Sequence, residues 1–109
     1  MCPVAIDFGS LCHELGALID APPATDDAAR AQVERTLTDG YAQAMSLEAE
    51  RLRLERQIGE VAAQVRVEER GAKTEELQDL SQRLARASGD LEHLRALLAR
   101  LRRHAFAAA

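Results

Sequence analysis

Leu77, Leu80, Leu84, Ala87, Leu91, Leu94, Leu98 and Leu101 are spaced in steps of three and four residues. That spacing is the heptad rhythm of a helix that buries one seam against another helix. A strand would need a period of two. The rhythm holds over nearly four heptads and predicts a helix over about 74–106. Gly89 is its one weak point.

A second stripe lies upstream: Leu37, Gly40, Ala44, Leu47, Arg51, Leu54, Ile58, Val61 and Val65. It has the same alternating steps and predicts a helix over about 26–70. Gly40 and Arg51 are its irregular members. The Arg51 stem can pack while its head reaches water.

Carried onward, the first stripe would fall on Glu68, Ala72, Glu75 and Asp79, where the leucines cease. The second stripe restarts at Leu77, out of phase. Between them, Arg70-Gly71 reads as a helix stop, with glycine at a left-handed cap. Thr74 with Glu75 and Glu76 after it reads as a helix start. The expectation is therefore a reversal at 71–73. An antiparallel pairing keeps the layers matched, with Val65 facing Leu77, Val61 facing Leu80, Ile58 facing Leu84 and Leu54 facing Ala87. Farther along, Ala44 faces Leu98 and Gly40 faces Leu101.

Ahead of this hairpin, residues 10–19 read as a short amphipathic helix, with Ser10 as cap and Leu11, Leu15, Leu18 and Ile19 on one face. Pro22-Pro23 then forbid helix continuation, and Thr25 is the expected cap of the long helix beyond them. The expected organisation is an N-terminal segment over 1–24 and an antiparallel coiled-coil hairpin over 25–109. The fold class is all-α, with a four-helix bundle expected by dimerisation. Composition supports helices: 47% of residues are apolar but only 3% aromatic, so the apolar mass is mostly leucine and alanine. Arg/Ala/Leu-rich usage also suggests a GC-rich bacterial source.

Tyr41, Met45 and Leu52 lie beside the first seam, and Leu97 flanks the second. Two helices alone cannot cover them. Together with Leu11, Leu15 and Leu18 they form the expected interface, filled by the short helix, a second copy, or both. A homodimer holding a further protein partner is the leading expectation.

The C-terminal run "RLRRHAF" places Arg100, Arg102, Arg103 and His104 together. Phosphate binding is one reading. Cations suited to a helix C-terminus and an acidic neighbouring segment is the plainer one. The net charge of −4 and the lack of interleaved aromatics argue against a nucleic-acid binder. A transcription-related regulator using those arginines, or the charged tip from Glu68 to Glu76, is the alternative.

Cys2, Cys12 and His13 lack the spacing of a zinc site, and His93 and His104 are too far apart along a helix to share an ion. No nucleophile–base pair or phosphate loop is visible, so no enzyme, metal or cofactor is expected. No secretory signal or run of about 18 apolar residues appears. The expected setting is cytoplasmic and reducing, away from the membrane.

Overall fold

The computed structural model describes residues 7–65 and 70–106. It is all-helical, with α1 over Phe8–Asp20, α2 over Asp27–Ala63 and α3 over Arg70–Phe106. No described helix is long and apolar enough to cross a membrane.

Helices α1 and α2 each start on a carboxylate cap. Asp7 caps α1: its Oδ2 accepts from the Ser10 N–H and from the Ser10 hydroxyl, both at 2.9 Å. Ser10, expected as the cap, is instead the donor one turn in. Asp26 does the same for α2, accepting from the Ala29 N–H at 2.7 Å, in place of Thr25. These bonds satisfy donors that the first turn of a helix leaves unpaired. Pro22 ends α1 by forcing its predecessor, Ala21, into extended backbone at φ −78°, ψ 158°.

The far end of α2 differs from expectation. The helix stops at Ala63, not Arg70, and its last turn tightens through Gln64 N–H to Val61 C=O and Val65 N–H to Ala62 C=O. Val65, expected to face Leu77, is exposed at 37%. Gly71 lies inside the first turns of α3, and no described glycine has a positive φ. The left-handed cap at Gly71 and the start at Thr74 are therefore both overturned. An exposed glycine costs least where helical hydrogen bonding is still incomplete, at a helix beginning. The unequal helices expected from sequence become two of 37 residues each, about 55 Å long.

The chain divides into two compact units, Met1–Met45 with Glu92–Ala109, and Ser46–Leu91. In the second, Leu54 and Val61 of α2 are buried with Leu80 and Ala87 of α3, and Ile58, Leu77 and Leu84 pack against them half-buried. These are the expected seam residues. Arg51 is half-buried too, its Nε 3.9 Å from Glu55 Oε1 and without a hydrogen-bond partner.

The first unit has three helices. Leu11 and Leu15 of α1 are buried with Val33, Leu37 and Ala44 of α2 and Leu94, Leu97, Leu98 and Leu101 of α3. A helix covered by two neighbours needs a wider apolar face than a coiled-coil seam. Positions 33, 36, 37, 40 and 44 of α2, and 94, 97, 98 and 101 of α3, provide it. At Gly40 the helices come so close that an added Cβ would overlap Leu98 Cδ2. The nearest neighbour of Gly40 is thus Leu98, one step from the expected Leu101.

Candidate interaction surface

Docking of α1 creates the polar chemistry of the first unit. Leucines 11 and 15, one turn apart, fix the buried face of α1. Glu14 then lies at the edge of that face. Its Oε1 accepts from the Gln32 amide at 2.8 Å and from the Thr36 hydroxyl at 3.0 Å. Thr36 is 2% exposed. A hydroxyl that deeply buried needs a partner, and it has two acceptors in reach, Glu14 and the Gln32 carbonyl at 3.0 Å. Gln32 Oε1 in turn accepts from Arg35 at 2.9 Å.

The other end of α1 is held by α3. His104 Nε2 lies 2.6 Å from the Ala21 carbonyl oxygen, partly buried. A carbonyl can only accept, so Nε2 carries the proton and donates. Beside this bond is a cavity of about 160 Å³ lined by Leu18, Pro22, Ala29, Val33 and Leu101, with His104 at its edge. The lining is almost wholly apolar. It offers no nucleophile with a base.

The expected interface residues divide into two groups. Leu11, Leu15 and Leu97 are buried within the chain's own first unit, and Leu18 is half-buried there. They pack among the residues of that unit. Tyr41 and Met45 are exposed on the same unit at 43% and 72%, and Leu52 is exposed on the second at 52%.

Arg100, Arg102 and Arg103 are exposed, and none forms an ion pair with a described residue. Asp26 and Asp27 do not neutralise them. His104, grouped with them in the sequence, bonds the Ala21 carbonyl through Nε2. Among the described residues, no group of three His, Cys, Asp or Glu side chains is arranged to hold a metal. Cys12 is half-buried on α1, His13 is exposed, and Cys2 lies outside the described residues. Of the charged tip, Glu68 and Glu69 also lie outside them; Glu75 and Glu76 are exposed, with Lys73 Nζ 3.7 Å from Glu76.

Val33 and Thr36 escaped the sequence reading. Val33 sits one turn before Leu37 and extends its stripe, a signal available in the spacing. Thr36 had no such signal, because a buried threonine reads as polar until its acceptor is known. No protein-family model, curated protein or solved structure matches the chain.

Proposed function

We propose that this chain is a non-enzymatic helical interaction protein. Its two long helices pair as an antiparallel coiled-coil hairpin, self-associate, most simply as a dimer, and hold a protein partner. The observation that carries this reading is Met45, 72% exposed, one turn from Tyr41 on α2. Every described seam residue of α2 from Leu37 to Val61 is buried or half-buried, so the large apolar side chains this helix leaves exposed, Tyr41, Met45 and Leu52, all lie off the seam. Large apolar groups left in water at helical spacing suit burial by another helix.

The test is molar mass by light scattering. The native chain is expected to run as a dimer, and Tyr41→Asp with Met45→Asp as a monomer of unchanged helicity. A native monomer, or a variant that still dimerises, overturns the proposed face.

A second reading is a nucleic-acid-associated regulator, favoured by the exposed and unpaired Arg100, Arg102 and Arg103. Such binding would weaken steeply with salt, because phosphate contacts release counterions. Absence of any DNA or RNA gel shift at about 50 mM salt disposes of it.

A further inference from the structure

α1 is tied to the rest of the first unit in a particular way. It is 13 residues long, too short to be a stable helix alone in water. Its helicity therefore depends on the groove that receives it. That groove has apolar and polar components: the buried faces of α2 and α3, Thr36 and Gln32 for Glu14, and His104 for the Ala21 carbonyl.

The connection to α2 is different in kind. Residues 21–26 carry Pro22 and Pro23 and have no regular structure. Among the described residues, no backbone–backbone hydrogen bond is made by residues 22–25. Ala21 is already extended. Prolines hold such a connection in extended backbone and resist its folding back.

We infer that α1 is an exchangeable element, and that two copies of this chain trade α1, each seating it in the other's groove. The occupant of the groove is thus a second copy's α1, which carries the complementary residues by identity. Every contact that docks α1 is remade across the pair: Leu11 and Leu15 in the apolar groove, Glu14 on Thr36 and Gln32, and the Ala21 carbonyl on His104. Only the path of residues 22–26 changes. Exchange of an identical element is a low-cost route to a dimer. Closed and exchanged forms differ by the tether, which acts as an effective concentration in the millimolar range for a short linker. Exchange therefore emerges as the protein concentration approaches that range. This self-association is independent of Tyr41 and Met45.

The experiment mixes equal amounts of ¹³C-labelled and unlabelled full-length chain, unfolds and refolds them together at about 1 mM, and records isotope-filtered NOEs. Interchain cross-peaks from Leu11 and Leu15 methyls to Val33 and Leu101 methyls are the expected result. Replacing Pro22 and Pro23 with Gly is expected to reduce those peaks several-fold while the helical content stays the same. A dimer whose α1 NOEs are all intrachain overturns the exchange and leaves the Tyr41–Met45 face standing. A monomer at this concentration overturns both. Unchanged interchain peaks in the double glycine variant overturn the role of the proline hinge.

Discussion

Replacing Gly40 with Ala isolates one close approach. In an open helix this substitution is favourable by about 1 kcal/mol, because alanine has less backbone freedom to lose. Gly59 is the matching control on the same helix: it is exposed, and an added Cβ there meets nothing within 4 Å. At Gly40 the added carbon overlaps Leu98 Cδ2 and comes within 3.4 Å of Leu98 Cγ. Leu98 is 2% exposed, so its side chain has no solvent to retreat into. Forcing an extra methyl into a filled core costs about 1–3 kcal/mol. The two contributions leave Gly40→Ala between neutral and about 2 kcal/mol destabilising. Gly59→Ala gains the full propensity, a rise in melting temperature of about 4–8 °C for a domain of this size. The assay is thermal and urea unfolding monitored by circular dichroism. The Leu98→Ala background supplies the second leg of a double-mutant cycle. There the methyl has room, and Gly40→Ala should recover most of its propensity gain relative to Leu98→Ala alone. If Gly40→Ala stabilises the native chain as much as Gly59→Ala does, the helices are not that close at Gly40 and the reasoning fails.

Three further substitutions or conditions probe how α1 is held. Leu15, fully buried, should cost about 2–5 kcal/mol on truncation to Ala, read by urea unfolding; a cost below about 1 kcal/mol would mean α1 is not docked. His104→Ala removes the donor to the Ala21 carbonyl and should cost about 1 kcal/mol, visible as faster amide exchange throughout α1; exchange changes confined to α3 would refute the link. The hydrogen bonds from the Ser10 backbone and hydroxyl hold the Asp7 carboxyl below its ordinary value of 3.8. Its capping contribution is therefore complete above that ordinary value and is lost as pH falls through the lower folded-state pKa. Chemical-shift titration of Asp7 and Ser10 tracks this directly, and a midpoint above 3.8 would be the wrong sign.

The heptad steps made the cores of α2 and α3 legible in the sequence, because a 3.5-residue period leaves a helix few choices of buried face. Leu54, Leu80, Leu91, Leu94, Leu98 and Leu101 are all buried. The surplus Leu97 pointed to a further helix on that face, but the period alone left open whether α1 or a second copy supplies it, since the number of neighbours is not written in one helix. Nor could local signals place the end of α2. Gly71 with Thr74 reads as stop and start, yet an exposed glycine with open space around it fits a helix nearly as well. Caps were misplaced by one to three residues for a related reason: Asp7, Ser10, Thr25 and Asp26 are all capping types, and geometry chooses among them. Of the candidate surface, Tyr41, Met45 and Leu52 stood out in sequence by being surplus to the seam.

The hydrogen bond between His104 and Ala21 joins residues 83 positions apart, and this bears on the order in which the molecule comes into being. The second unit is one contiguous stretch, Ser46–Leu91, whereas the first is assembled from Met1–Met45 and Glu92–Ala109. Synthesis proceeds from the N-terminus at about 5–20 residues per second. Leu11, Leu15 and Val33 are thus made early but wait several seconds, on the order of 3–18 s, for the α3 residues that cover them. During that interval the nascent chain carries Leu11 and Leu15 without the complete groove on which the helicity of α1 depends. The later-made turns of α3 close over the earlier-made α1 and the start of α2.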